Sequence, residues 1–234
     1  MGQKVRPTGF RLGIMTEPLS QWYANKQDFS ELLVEDFKIR QYIKKRFRRS
    51  KIARIKIERT REKVVVYIHS ASVGIIIGKK GAEIEKLTHD LENLTRRKIE
   101  VKTMEIVRPE VDPQLVAEDI AEQLEKRASF RRTMKRAIDT TMENGAKGVK
   151  IQLSGRLGGS EMARCEKALA GSIPLSTLRA KVEYGFSEAS TAQGNIGVKV
   201  WVNNGDYLAP EPEPTAPAPG GTGGRGRRPG RRRG

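Results

Sequence analysis

Residues 73–84 read Val73-Gly74-Ile75-Ile76-Ile77-Gly78-Lys79-Lys80-Gly81-Ala82-Glu83-Ile84. A short apolar helix from Val73 to Ile77 runs into the loop Gly78-Lys79-Lys80-Gly81. A second helix, carrying Ile84, Leu87, Leu91 and Leu94, runs out of it. A Gly-x-x-Gly turn between two helices lets a nucleic-acid strand approach the backbone, because no side chains obstruct it. The following helix N-terminus offers unpaired N–H donors to phosphate, and Lys79 and Lys80 add charge at the same place. Taken alone, the spacing is equally that of a tight turn, so its surroundings decide the reading.

Upstream, Ser30 is a plausible N-cap, and Ile39, Ile43 and Phe47 recur four apart, the face of a helix running to about Arg49. Ala53, Ile55 and Ile57 then alternate with Arg54, Lys56 and Glu58. After a charged turn at about 59–62 comes the β-rich run Val64-Val65-Val66-Tyr67-Ile68, completing an antiparallel hairpin. Downstream of the loop helix, a strand runs from Ile99 to Ile106. The predicted order is α-β-β-α-α-β. Proline and charge interrupt both periodicities at Val107-Arg108-Pro109-Glu110-Val111.

A second helix-on-sheet unit follows. Asp112 and Pro113 form an N-cap and first-turn pair ahead of Val116, Ile120 and Leu124, and Ser129 caps a helix that stops near Gly145. Val149, Ile151 and Leu153 mark a strand, and a glycine-rich turn (Gly155 to Gly159) leads to a helix expected to begin at Ser160 with Cys165 on its face. Two strands close the unit, around Ala180–Phe186 and Val198–Val202. The expected fold class is α+β throughout: a basic N-terminal extension (1–29), a first domain (30–107), a second (108–208), and a tail (209–234). That tail, Pro/Glu-rich and then arginine-rich from Arg225 to Arg233, cannot bury a core and is read as an arm contacting phosphates.

Composition narrows the partners. The 234 residues carry 45 Lys and Arg against 28 Asp and Glu, a net charge of +17, which calls for a polyanion such as a nucleic acid. No apolar run approaches the ~20 residues of a spanning helix, so no membrane partner is expected. One cysteine excludes an internal disulfide, and with His69 and His89 it makes no zinc motif, so the chain is expected in the cytoplasm with no cofactor or metal. Gly74 to Gly78 is one residue short of a P-loop and Lys80 stands where its hydroxyl belongs, which removes the NTPase reading. No catalytic set and no small-molecule site emerges. At 6% of the chain, aromatic residues look too sparse for a base-stacking platform.

Three basic constellations remain. In Phe130-Arg131-Arg132-Thr133-Met134-Lys135-Arg136-Ala137-Ile138, helical periodicity gathers Arg131, Arg132, Lys135 and Arg136 within roughly 140°, opposite Phe130, Met134 and Ile138. No acid stands three or four residues from Arg131 or Arg132, so phosphate contact is the better reading. The stretch from Lys38 to Lys63 holds Lys44, Lys45, Arg46, Arg48, Arg49, Lys51 and Arg54 against only Glu58 and Glu62, and is read as facing RNA. Arg156, in the glycine-rich turn, joins Lys4, Arg6 and Arg11 as a further candidate RNA contact.

The loop at 78–81 in its α-β-β-α-α-β setting resembles a type II KH domain over about residues 39–107. Together with Met1-Gly2-Gln3-Lys4-Val5, Arg11-Leu12-Gly13-Ile14, Phe130-Arg131-Arg132, Ser154-Gly155-Arg156-Leu157-Gly158-Gly159, Pro174-Leu175-Ser176-Thr177-Leu178-Arg179-Ala180 and Gly197-Val198-Lys199-Val200-Trp201, the chain resembles the bacterial-type small-subunit ribosomal protein S-three family over 1–208. The resemblance implies a non-enzymatic protein of the subunit head that binds small-subunit rRNA and lines the channel where mRNA enters. It implies S-ten and S-fourteen as protein neighbours, and it matches Arg131, Arg132 and Lys135 to the channel cations. The rival readings are a free KH regulator and a metal-free nucleic-acid lyase.

Overall fold

Two hydrophobic clusters, each built on its own four-stranded sheet, organise the chain, and the computed structural model describes residues 5–208 of it. The first half contains α1 (Pro7–Arg11), β1 (Ser20–Gln21), α2 (Phe29–Arg46), β2 (Ile52–Arg59), β3 (Lys63–Ser70), α3 (Val73–Ile77), α4 (Ala82–Thr95) and β4 (Lys98–Glu105). From α2 onward this is the α-β-β-α-α-β order read from the sequence. β2 and β3 form the antiparallel hairpin, with Ile57 opposite Val66, and β4 lies parallel to β3, with Ile99 opposite Val64. Ile39 and Ile43 of α2, Ile76 of α3, and Leu87 and Leu91 of α4 are all fully buried against Ile57, Val66 and Ile68. Each contributes roughly 1.5–3 kcal/mol relative to exposure.

The N-terminal segment has no period because its order is tertiary. β1 adds to the first sheet parallel to β2, with Ser20 opposite Ile57. Asp36, fully buried on α2, accepts hydrogen bonds from Ser20 Oγ (2.9 Å), Trp22 Nε1 (2.9 Å) and Arg59 Nε (2.8 Å). At the other end of the segment, Arg11 is enclosed by backbone carbonyls. It donates from Nε to Ala180 O (2.7 Å), from Nη2 to Thr177 O (2.7 Å) and from Nη1 to Pro7 O (3.2 Å). The expected free extension is therefore a clasp touching both sheets.

The second half contains α5 (Pro113–Glu125), α6 (Phe130–Glu143), β5 (Gly148–Gly155), β6 (Arg164–Gly171), β7 (Ala180–Thr191) and β8 (Gly194–Asp206). Asp112 caps α5, accepting from Gln114 N (3.0 Å) and Leu115 N (3.4 Å), as its place before Pro113 predicts. Ser129 stands at the N-cap of α6, but its side chain makes no capping bond. The strands run antiparallel in the order β6-β5-β8-β7. Ala117 and Ile120 of α5 and Met134 and Ile138 of α6 pack on Val149, Ile151, Leu153, Val198, Val200 and Val202. The start of α5 lies directly on Gly185, where a Cβ would stand 2.1 Å from Pro113 O, so no larger residue fits.

One element differs from the sequence reading. No helix begins at Ser160. A single 3₁₀ turn (Leu157–Gly159) precedes β6, and Cys165 sits on that strand, exposed. The run Arg164-Cys165-Glu166-Lys167-Ala168-Leu169-Ala170 favours helix by composition. Pairing with β5 overrides it, turning Ala168 and Ala170 towards the core while Lys167 and Leu169 stay exposed.

Candidate nucleic-acid interface

The turn between α3 and α4 needs its glycines. Gly78 (φ +71°) and Gly81 (φ +83°) both adopt left-handed backbone, and a Cβ on Gly78 would lie 2.7 Å from Glu83 Cγ. Lys80 shares the left-handed region (φ +53°). The turn thus holds Lys79 and Lys80 exposed, beside the half-exposed Ile75 and Ile77. Glu83, the acid nearest the turn, is engaged elsewhere. A hydrogen bond from Lys86, then the charge of Lys86 and a bond from Arg46, hold it below the usual carboxylate range. What remains is a glycine-lined, positively charged turn at the head of α4, suited to an anionic strand.

On α6, Arg131, Arg132, Lys135 and Arg136 are all exposed, while Thr133, Met134, Ile138 and Thr141 are buried. Arg131 lies 5.7 Å from the Phe130 ring centroid, a contact that steadies the first guanidinium of the stripe. Among the described residues, none of the four cations forms a salt bridge. This is the arrangement that the helical spacing predicted.

The basic stretch around α2 and β2 is different, because the second half of the chain supplies acids. Arg48 meets Glu125 (3.6 Å) and Lys51 meets Asp119 (4.0 Å), both on α5. Arg54 bridges Asp112 (3.3 Å) and Glu183 (3.5 Å), and Arg46 pairs with Asp90 and, at 3.4 Å, with Glu83. A groove of about 1090 Å³ separates Lys44, Lys45 and Arg49 from Glu118, Asp119 and Glu122. Burial raises the Glu118 carboxyl, against the pull of the Gln114 hydrogen bond and of Lys44. The sequence reading missed these partners, although Glu118, Glu122 and Glu125 recur at helical spacing on one face of α5.

Four of the residues expected to contact phosphate are engaged within the chain itself. Arg11 is fully buried and its donors are spent on carbonyls. Arg46 and Arg54 hold acids of this chain. Arg156 braces its own loop, donating from Nε to Ser160 O (2.9 Å) and from Nη1 to Gln193 O (3.1 Å). Lys44, Lys45 and Arg49 remain exposed, and Arg6 lies 4.8 Å over the Tyr184 ring. Lys4 and the tail arginines lie outside the described residues.

Two helices joined by a glycine turn on a three-stranded core sheet, followed by a second helix-on-sheet unit, define a two-domain protein with a KH fold. Residues 38–111 match the KH domain model, and residues 120–202 match the model of the ribosomal protein S3 C-terminal domain. Curated relatives agree. "Small ribosomal subunit protein uS3" of Rhodopirellula baltica is 59% identical over 212 residues, covering 88% of this chain and 90% of its own length. The proteins of that name from Desulforamulus reducens and Rubrobacter xylanophilus are 51% and 54% identical, covering 94% and 90% of this chain and 98% and 100% of their own lengths. The chain belongs to the uS3 family of small ribosomal subunit proteins. That family is structural rather than enzymatic.

Proposed function

We propose that this protein is a cytoplasmic structural constituent of the small-subunit head. It binds rRNA through Gly78, Lys79, Lys80 and Gly81 and through Lys44, Lys45 and Arg49, and it contacts mRNA where the strand enters the subunit through Arg131, Arg132, Lys135 and Arg136. The observation that carries the mRNA assignment is the α6 stripe. Four cations stand exposed on one face of a helix whose other face is anchored in the core, with no salt bridge among the described residues. Its mechanism is electrostatic: each phosphate neutralised releases counterions, and the rigid helix sets the spacing of the charges. The reading includes S-ten and S-fourteen as neighbours, and an apolar surface on α2 suits a protein contact of some kind. There Phe29, Leu33, Val34 and Phe37 are about half exposed or more.

Small subunits reconstituted with Arg131→Ala and Arg132→Ala are expected to assemble normally, sediment with the wild type, and lose initiation or movement on structured mRNA. Loss of the variant from assembled subunits contradicts the assignment. Lys79→Asp with Lys80→Asp is expected to weaken RNA affinity broadly, and an unchanged salt slope overturns the clamp.

A further inference from the structure

The second sheet carries its helices on one face only, and its other face is ordered in rows. The strand registers place Lys167, Gln152, Lys199 and Phe186 in one line across β6, β5, β8 and β7. The next line is Leu169, Lys150, Trp201 and Tyr184. Side chains in these lines alternate with the buried Ile151, Val200 and Gly185, so they share the face turned away from α5 and α6. The N-terminal segment borders this face: Arg11 is bound at the Ala180 end, and Val5, Arg6 and Pro7 line the groove beside Tyr184.

Aromatic residues that are scattered in the sequence meet here. The Tyr184 and Trp201 rings lie 5.3 Å apart and tilted by 57°. Lys150 Nζ stands 4.9 Å over Trp201, and the Arg6 guanidinium 4.8 Å over Tyr184. Phe186, 38% exposed, extends the aromatic floor. The groove over this floor holds about 790 Å³. Its walls include Arg6, Lys44, Lys150, Lys167 and Lys199, and among the described residues none that lines it is acidic. Along the described strands, the acid that follows on this face is Glu188, one row beyond Phe186 and Lys199, in register with Gly197.

A basic groove whose described lining holds no acid selects a polyanion, and three aromatic rings select something with flat apolar faces. Duplex RNA offers phosphates but keeps its base faces stacked inside. An unpaired RNA strand offers both at the spacing of successive nucleotides. We propose that the open face of the second sheet binds a short unpaired segment of RNA, with bases stacked on Trp201, Tyr184 and Phe186 and phosphates held by Lys150, Lys167, Lys199 and Arg6. The site is separate from the glycine loop and from α6, and it rests on the RNA-binding reading above. A nucleobase reaching Trp201 or Tyr184 displaces or sandwiches the cation now over the ring, and the displaced charge turns to the adjoining phosphate.

The test uses the full chain and a labelled oligouridylate of about eight nucleotides. Trp22 is the other indole, so a Trp22→Phe background isolates Trp201 emission. Binding is expected to quench that emission. An abasic strand of equal length and charge is expected to bind roughly tenfold more weakly, as is oligouridylate to Phe186→Leu. Lys150→Gln with Lys199→Gln is expected to reduce the salt slope by about 1.4. Circular dichroism checks that each variant is folded, and the abasic comparison on the unaltered chain is independent of folding effects. Equal affinity for the abasic strand, or binding that responds only to Lys79→Asp with Lys80→Asp and leaves Trp201 unquenched, overturns the sheet site while sparing the loop. Absence of binding to any RNA by the unaltered chain overturns the broader reading instead.

Discussion

The α2–β2 region and helix α6 look alike as sequence: each is a dense basic run with few acids nearby. In the fold they part. The cations of α2 and β2 face an acidic helix, α5, across a groove, and Arg48, Lys51 and Arg54 are drawn into pairs with acids of the second half. The cations of α6 face outward and form no salt bridge among the described residues. The first cluster therefore spends part of its charge holding the two halves of the protein together, and the second keeps its charge for a partner. Local charge density identifies where positive residues are. Which of them are free depends on acids more than fifty residues away.

Breaking the Arg54 bridge should separate the two roles most clearly. Arg54→Ala leaves Asp112, 7% exposed, and Glu183 without their shared cation, and should cost about 1–3 kcal/mol in urea denaturation. RNA affinity should stay unchanged, and a loss of affinity matching that of the α6 variant would refute the division. Arg48→Ala with Lys51→Ala should cost less than about 1 kcal/mol per pair, since Arg48 is 83% exposed and both contacts are long. The same double variant should lower the salt slope of RNA binding less than Arg131→Ala with Arg132→Ala does.

The smallest effect is expected at Glu118. Burial raises its folded-state pKa above the ordinary 4.5, so the stability its neutral form contributes is present at low pH and lost as pH rises through the raised value. Glu118→Gln should keep the Gln114 contact and raise the melting temperature slightly at neutral pH, with no difference at acid pH. A variant less stable than wild type at neutral pH would mean that Glu118 serves mainly as a partner for Lys44 and Arg48.

Much of the first half was legible because its elements obey local rules. Period-four isoleucines made α2, strict alternation made the β2–β3 hairpin, and Gly78 and Gly81 announced a turn that only left-handed residues can make. The loop and the α6 stripe could be located for the same reason: their residues are neighbours in sequence. β6 was not legible, because Ala168, Leu169 and Ala170 favour helix and only β5 makes them a strand. The clasp formed by α1 and β1 was hidden as well, since Arg11 reads as surface charge until the carbonyls of Ala180 and Thr177 surround it.

The sequence by itself determined the α+β class, the order of elements from α2 to β4, the glycine turn and the positive face of α6, all set by interactions within a few residues. Tertiary structure decided which cations are neutralised, where Arg11 is spent, and that Tyr184, Phe186 and Trp201 share one open face. The physical reason is range. Backbone propensity and side-chain periodicity act along the chain, whereas ion pairing and burial act through space between segments that only folding brings within a few ångströms.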